Sequence, residues 1–209
     1  MDSVFSEVIS IAAVFLLVFA NGFFVAAEFS LVAVRRSRVT ELVGEGRRNA
    51  RALQHAVDRL DASLAATQLG ITISSLALGW IGEPALAHLV APLLTPLGGF
   101  AESASHGISV AIAFIVITAL HIVLGELAPK SLALQRSEGT ALVIVRPLAL
   151  FLFLFRPAIV LLNGLGNGVL RLFGLSPGSG EESLHSPDEL KLLVAESRRA
   201  GLLQRAQQE

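Results

Sequence analysis

The sequence predicts an all-α membrane protein with three transmembrane helices, additional cytoplasmic juxtamembrane (belt) helices, and an N-terminus outside the cytoplasm. Its residues are 53% hydrophobic and its mean hydropathy is +0.68, which is typical of a membrane protein. Three apolar stretches are long enough to cross about 30 Å of hydrocarbon as helices. Lys and Arg are absent from residues 1–34 and 60–129, whereas 35–59 hold seven and 130–209 hold nine. Because basic segments stay on the cytoplasmic side, this distribution predicts the orientation.

The first predicted span covers about residues 8–34. Between Ser10 and Glu28, Asn21 is the only strongly polar side chain. The first seven residues contain no Lys or Arg, so they lack the positive region of a cleavable signal peptide. We therefore expect this helix to be retained.

A basic hairpin and the second span follow. Residues 35–62 are polar and rich in arginine and predict a helical cytoplasmic hairpin that turns at Gly44 and Gly46. The second span, at about 63–91, is apolar but contains several polar residues and glycines. We expect it to bend or break near Gly82–Pro84.

The third predicted span covers about 107–130, after a loop at 92–106 that is rich in Pro, Gly and Ser. The next apolar segment is interrupted by Arg-Pro pairs at 146–147 and 156–157, and basic residues flank it on both sides. We expect juxtamembrane helices over 138–174 that lie in the cytoplasmic interface. A fourth span is the alternative.

The last part of the chain is predicted to be cytoplasmic. Residues 1–174 form the transmembrane domain in this interpretation, and 175–185 form a linker by their Pro, Gly and Ser content. Ser186-Pro-Asp-Glu has the pattern of a helix N-terminus, which predicts that a cytoplasmic helix begins within 186–209.

The candidate functional site lies in the segment 121–130, His-Ile-Val-Leu-Gly-Glu-Leu-Ala-Pro-Lys. Pro129 has no N–H, so in a continuing helix the carbonyl of Gly125 loses its donor. Glu126 adds a negative charge at a depth where charged side chains usually face a protein interior or a water-filled cavity. These features favour an oxygen-rich site for a hard cation. The alternative is that Pro129 ends a helix at the interface and Glu126 pairs with Lys130.

Polar residues of the first two spans lie at a comparable depth. Asn21 and Glu28 are seven residues apart and share one helix face. The second span carries a similar stripe, made of Gln68, Thr72 and Ser75. Their oxygens suit Mg²⁺, Ca²⁺, Mn²⁺ or Na⁺, and a chain without Cys offers no thiolate site. His121 could line the mouth of such a cavity. The alternative is that small and hydroxyl residues serve helix–helix contacts.

Four motifs, taken together and in order, resemble the transmembrane domain of the CorC/CNNM family of magnesium transporters, whose bacterial members have also been called hemolysin-like. The resemblance runs from about residue 8 to 205. The motifs are Asn21-Gly-Phe-Phe-Val-Ala-Ala-Glu28-Phe-Ser-Leu, Thr67-Gln-Leu-Gly-Ile-Thr-Ile-Ser-Ser75, Gly125-Glu-Leu-Ala-Pro-Lys130 and His185-Ser-Pro-Asp-Glu-Leu.

The resemblance implies a homodimer with three spans per subunit, a belt of juxtamembrane helices and a pair of nucleotide-binding CBS modules beyond Glu209, through which ATP would act. It also implies Mg²⁺ export, driven by Na⁺ entry, across the inner cell membrane. The site would be formed by small polar residues of the first two spans and by the Gly-Glu pair of the third.

The family's site positions correspond here to Asn21, Val25, Ile71, Thr72, Ser75, Gly125 and Glu126. Val25 and Ile71 carry no side-chain oxygen, where relatives often have Ser and Asn. Because Mg²⁺ demands near-octahedral oxygen geometry, a hydrated ion or a different cation is an alternative. We expect the metal to be held by Asn21, Thr72, Ser75, Gly125 and Glu126. The supporting or coupling residues are expected to be Glu28, Gln68, His121, Pro129 and Lys130.

The sequence therefore predicts a cation transporter that works by alternating access in the lipid bilayer. No step calls for covalent chemistry, so we expect no enzymatic activity. The net charge of −1 gives no reason to expect nucleic acid as a partner. The rival interpretation is a regulatory membrane protein that senses Mg²⁺ or a nucleotide and controls a partner. A pore-forming toxin is disfavoured by the three retained spans.

Overall fold

The structure is a computed structural model that describes residues 2–94 and 102–174. Within these ranges the chain is helical and contains no β-strand, which confirms the all-α prediction. The helices are α1 (Asp2–Ala33), α2 (Arg36–Gly44), α3 (Ala50–Asp58), α4 (Leu60–Leu94), α5 (Glu102–Leu120), a π-helical segment (His121–Leu127), α6 (Ala128–Gln135), α7 (Ser137–Leu154) and α8 (Arg156–Leu172).

Among the residues that the structure describes, four stretches are long and apolar enough to cross a membrane. They are Val8–Ala33, Leu60–Ala87, Gly107–Gln135 and Ser137–Leu154. Their outward faces expose large apolar side chains, such as Leu76 at 71%, Trp80 at 85% and Phe114 at 62%. Extended apolar surfaces of this kind are unfavourable in water and favourable in lipid. The chain is therefore a multi-pass membrane protein, and its orientation stays a prediction from the basic residues.

The first three of these stretches pack against one another. α1 contacts α4, the π-helical segment and α6, and α4 contacts α5. In one apolar cluster, Val14 and Val18 of α1 meet Leu78 of α4 and Ile117 of α5. Gly82 of α4 lies where a Cβ would be 3.0 Å from the Cδ1 atom of Ile117. The lack of a side chain at Gly82 therefore lets α4 and α5 approach each other closely.

A second and larger core lies at the basic end of α1. There the last turns of α1, including Leu31, pack with α3, α7 and the start of α8. α7 contributes buried residues on one face, such as Ile144 and Leu148. α7 packs on α3 and on this end of α1, and it also has the length and composition of a span, so its interfacial placement stays a prediction.

The basic hairpin is also tied to α7 by charge. Arg38 of α2 donates from Nε to Glu138 at 2.9 Å and from Nη1 to Glu41 at 2.8 Å and Glu45 at 3.1 Å. These bonds raise the pKa of Arg38 above its ordinary value, and the bond to Glu138 contributes most. The guanidinium therefore stays charged and links the hairpin to the first turn of α7.

The turn of the hairpin and the prolines inside α4 and α7 bear on the helix ends that the sequence predicts. The hairpin is helical, and of the two glycines predicted to form its turn Gly46 does so with a φ of +68°, whereas Gly44 is the last residue of α2. By contrast, α4 runs through Gly82–Pro84 without a break. A proline removes a single helix hydrogen bond, which neighbouring packing can offset in a membrane helix. Likewise α7 continues through Pro147, and only the second Arg-Pro pair marks a boundary, at Phe155. The expected loop at 92–106 is helical at both ends, since α4 extends to Leu94 and α5 begins at Glu102.

Two compact units can be distinguished, Met1–Gly166 and Asn167–Glu209. In the second unit the described residues are the end of α8 and the two that follow it. The contacts described below all lie within the first unit. The predicted linker at 175–185 and the helix expected within 186–209 lie outside the described residues.

Candidate functional site

A polar junction joins three helices near the middle of their apolar stretches. Asn21 of α1 is 1% exposed, and its Nδ2 donates to the carbonyl oxygen of Gly125 at 2.9 Å. The Ser75 hydroxyl of α4 lies 3.1 Å from Asn21 Oδ1 and 3.3 Å from His121 Nε2. We call these four residues the polar junction. It brings together three of the five predicted metal-site residues and one predicted supporting residue.

The directions of these hydrogen bonds follow from the chemistry of the groups. A carbonyl oxygen can only accept, so the Asn21 amide must turn its NH₂ group toward Gly125 and its oxygen toward Ser75. The single hydroxyl hydrogen of Ser75 then points to Asn21, and the bond to His121 requires a hydrogen on Nε2. The junction is therefore a continuous donor chain from the imidazole through the hydroxyl and the amide to the Gly125 carbonyl.

The Gly125 carbonyl is available because the third long helix changes its winding there. Across the π-helical segment the backbone N–H of Ala128 bonds to the carbonyl of Val123, five residues back. Pro129 has no N–H, so it can serve neither the carbonyl five residues back, that of Leu124, nor the one four residues back, that of Gly125. Pro129 therefore cannot donate to the Gly125 carbonyl, and the Asn21 side chain does donate to it. π-Helical turns of this kind often occur at functional sites.

Two glycines permit the close approach of α1 to this segment. A Cβ on Gly22 would lie 2.9 Å from Pro129 Cγ and 3.1 Å from the Leu124 carbonyl oxygen. A Cβ on Gly125 would lie 3.2 Å from Asn21 Nδ2 and 2.9 Å from the His121 ring. A larger residue at either position would push the two helices apart. Gly22 is one of the small residues to which the alternative interpretation of the sequence gives a role in helix–helix contacts.

A second polar pair links α1 and α4, and it lies closer to the hairpin than the polar junction does. The Gln68 amide Nε2 lies 3.0 and 3.1 Å from the two Glu28 carboxylate oxygens and donates to them. Thr72 lies between this pair and the junction along α4, but its hydroxyl bonds to the Gln68 carbonyl of its own helix at 2.8 Å. Thr72 is therefore the predicted metal-site residue of α4 that the structure leaves outside the junction.

The acidic residue of the third helix is also outside the junction. Glu126 is exposed, and within the described ranges no hydrogen bond or ion pair joins it to Lys130 or to the junction. Lys130 instead places its Nζ 4.4 Å from the centre of the Phe29 ring, a cation–π contact. The alternative in which Glu126 pairs with Lys130 is not realised in this structure.

Two positions of the site implied by the family resemblance, Val25 and Ile71, carry apolar side chains that contribute to packing. Val25 is 3% exposed, and Ile71 packs against the larger apolar core. Among the residues that the structure describes, no three His, Asp or Glu side chains gather in a way that could hold a metal. What the junction offers is a set of neutral ligands: an amide oxygen, a hydroxyl and a backbone carbonyl. Hard cations accept such oxygens, usually with water completing the shell.

Comparison with known proteins connects this architecture to a family. The family model described as "Cyclin M transmembrane N-terminal domain" matches residues 11–207. The chain is similar to the UPF0053 proteins YhdT and YrkA of Bacillus subtilis, with 44% identity over 195 residues and 40% identity over 186 residues. It is also 40% identical over 196 residues to the UPF0053 protein MT1890 of Mycobacterium tuberculosis.

These matches cover 93%, 89% and 94% of this chain but 42%, 43% and 43% of the relatives. The chain therefore spans less than half of the length of these relatives. The family match over residues 11–207 contains the whole polar junction. The chain belongs to the CNNM family of membrane proteins, as the motifs around Asn21, Ser75 and Gly125 had indicated.

Proposed function

We propose that this chain is the membrane domain of a divalent-cation transporter, with Mg²⁺ as its substrate. Na⁺ entry drives export by alternating access, and the protein works as a homodimer in the inner cell membrane. The observation that carries the proposal is the polar junction, which places an amide, a hydroxyl and a proline-freed carbonyl together inside long apolar helices. Polar groups at such depth are costly and usually mark an ion path.

In the proposed cycle the junction exchanges partners. The Gly125 carbonyl accepts the Asn21 amide when no ion is present, so no buried acceptor is left without a donor. An arriving cation takes the carbonyl oxygen, and Asn21 turns its amide oxygen to the ion. Ser75 contributes its hydroxyl oxygen. Glu126, one residue beyond Gly125, supplies the negative charge that these neutral ligands lack.

Thr72 and the pair of Glu28 and Gln68 have proposed roles on the hairpin side of the junction. Thr72 joins the ion shell when its hydroxyl turns from the Gln68 carbonyl. The Glu28 carboxylate, held by the Gln68 amide, couples Na⁺ to the cycle. Because the oxygens at Val25 and Ile71 are missing, we expect water molecules to complete the coordination of Mg²⁺.

A regulatory membrane protein is the rival function. The groups of the junction hydrogen-bond to one another, as polar groups in a purely structural contact between helices also do. In that case the protein would sense Mg²⁺ or a nucleotide and control a partner without moving ions. The two functions differ in one measurable quantity, the flux of Mg²⁺ across a sealed membrane.

The test is a flux measurement with the full-length protein in liposomes. A Mg²⁺-sensitive dye reports transport at a series of Na⁺ gradients. We expect Na⁺-dependent Mg²⁺ flux that falls to the level of protein-free vesicles in Glu126→Gln, since this change removes the charge next to Gly125. A matched control is Glu83→Gln, which removes a carboxylate from α4 about two turns from Ser75 and should keep the flux.

Two results would contradict the proposal. Full flux in Glu126→Gln would show that the carboxylate has no part in ion movement. A wild-type protein that binds Mg²⁺ in calorimetry but moves none at any Na⁺ gradient would favour the regulatory function.

A further inference from the structure

A cavity of about 480 Å³ lies away from the polar junction, between the hairpin and the juxtamembrane helices. This volume is in the range of small-molecule sites. One wall is a face of α3 that continues to Arg59 and the start of α4, and the other is formed by α7 and the first turns of α8. The function proposed above gives this cavity no role.

The walls combine apolar surface with two cations. Leu148, Leu152 and Ile159 are among the apolar lining residues, while Arg59 and Arg156 supply positive charge. No carboxylate is among the lining residues. Within the described ranges neither arginine forms an ion pair with an acidic side chain, and both are exposed. The cavity therefore offers unpaired guanidinium groups next to a large apolar lining.

The mouth of the cavity opens onto an apolar surface. Phe153 is 78% exposed and Val160 is 64% exposed, and both also line the cavity. Neighbouring residues of α7 and α8 extend this surface, with Leu150 at 69% and Leu161 at 63% exposed. Such a surface is expected to contact lipid. A ligand that enters from this side must carry both an apolar part and an anionic group.

We propose that this cavity binds an anionic phospholipid from the cytoplasmic leaflet, with its phosphate held by Arg59 and Arg156 and an acyl chain on the apolar lining. Charge complementarity selects an anionic headgroup, because guanidinium groups recognise phosphate oxygens through paired hydrogen bonds. Basic pockets between helices on the cytoplasmic side have the character of anionic-lipid sites. The bound lipid fastens the hairpin to α7 and α8.

The proposal can be tested by native mass spectrometry of the full chain in detergent. The probes are phosphatidylglycerol, phosphatidylcholine with the same acyl chains, and inorganic phosphate. We expect phosphatidylglycerol to be retained in preference to phosphatidylcholine. Replacing both arginines, Arg59→Gln with Arg156→Gln, should weaken phosphatidylglycerol binding about 25-fold, since each cation near a lipid headgroup contributes about fivefold.

The matched control is the pair Arg51→Gln and Arg146→Gln. It removes the same charge from α3 and α7 at positions that do not line the cavity, and it should change binding less than about twofold, because a screened surface charge contributes little. Ala149→Trp is a second variant that fills the apolar part and keeps both arginines. It should weaken phosphatidylglycerol binding and leave any phosphate binding unchanged.

Three outcomes would overturn the proposal. The first is equal loss of phosphatidylglycerol in the cavity pair and the control pair, which would indicate general surface attraction. The second is equal retention of both lipids. The third is phosphatidylglycerol binding that Ala149→Trp leaves unchanged and that inorganic phosphate displaces, which would indicate a site for phosphate without a place for an acyl chain.

Discussion

Replacing Asn21 by leucine tests whether the polar junction holds the three long helices together. Leucine has nearly the same shape as asparagine but offers no donor or acceptor. The change removes the bond from Asn21 to the Gly125 carbonyl and the bond between Asn21 and Ser75, which measure 2.9 and 3.1 Å. Asn21 is 1% exposed, so water from outside the fold cannot replace these bonds without local opening.

Two magnitudes bound the expected effect. A buried acceptor left without its donor costs about 1–3 kcal/mol in water-soluble proteins. Interhelical hydrogen bonds in membranes average only about 0.6 kcal/mol, with a maximum near 1.7, because the unfolded helices also find partners. Asn21→Leu removes two such bonds and leaves the carbonyl of Gly125, four residues before Pro129, without its side-chain donor. We therefore expect a loss of about 1–2 kcal/mol in the free energy of unfolding.

The measurement is unfolding in mixed detergent micelles, followed by circular dichroism. Trp80 is the only tryptophan in the chain and is 85% exposed, so intrinsic fluorescence would report poorly on the junction. Thr72→Val is the matched control, because Thr72 bonds only to its own helix, and it should cost less than about 0.5 kcal/mol. Equal stability of Asn21→Leu and Thr72→Val would refute the argument.

The other predictions concern neighbouring positions. Gly22→Ala should lower the free energy of unfolding by about 1–3 kcal/mol because its Cβ would meet the ring of Pro129. Gly79→Ala is its control in the same detergent assay. A Cβ there meets no atom within 4 Å, so this variant should be neutral or slightly stabilising. Pro129→Ala should restore a backbone donor, stabilise the third helix and weaken Mg²⁺ binding in calorimetry; unchanged or tighter binding would argue that the freed carbonyl does not meet the ion. Ser75→Ala should be less damaging in the Asn21→Leu background than alone, since the two side chains share a bond, and strict additivity would contradict their coupling.

The sequence predicted the long helices and the hairpin well because their signals are local. Apolar length, arginine clustering and the glycine at 46 each act within a few residues. The effect of two prolines, Pro84 in α4 and Pro147 in α7, was harder to predict. Whether a proline breaks a helix depends on packing around it, and residues such as Gly82 and Leu148 hold their helices in place through contacts with other helices.

The spacing of polar residues made Asn21, Ser75 and Gly125 candidates for one site, but it could not predict how they connect. The missing N–H of Pro129 is a property of one residue, so the freed carbonyl of Gly125 could be predicted. Which side chain would reach that carbonyl depends on how α1 rotates against the π-helical segment. Asn21 does so because Gly22 allows close approach at the same turn. The exposed position of Glu126 and the own-helix bond of Thr72 likewise depend on rotation and could not be deduced from spacing.

The satisfied state of the junction has a consequence for affinity if the proposed function holds. A carbonyl, a hydroxyl and an amide that already bond to one another must give up those bonds when a cation enters. The net free energy of binding is then the ion's coordination minus the lost hydrogen bonds and the dehydration of Mg²⁺, which releases water reluctantly. Binding should therefore be weaker than that of a rigid, preformed cage of carboxylates. Weak binding is what a transporter requires, because an ion that is held too tightly cannot leave on the other side. In the proposed cycle the hydrogen bond between Asn21 and Gly125 would compete with the ion for the carbonyl oxygen and so limit the affinity.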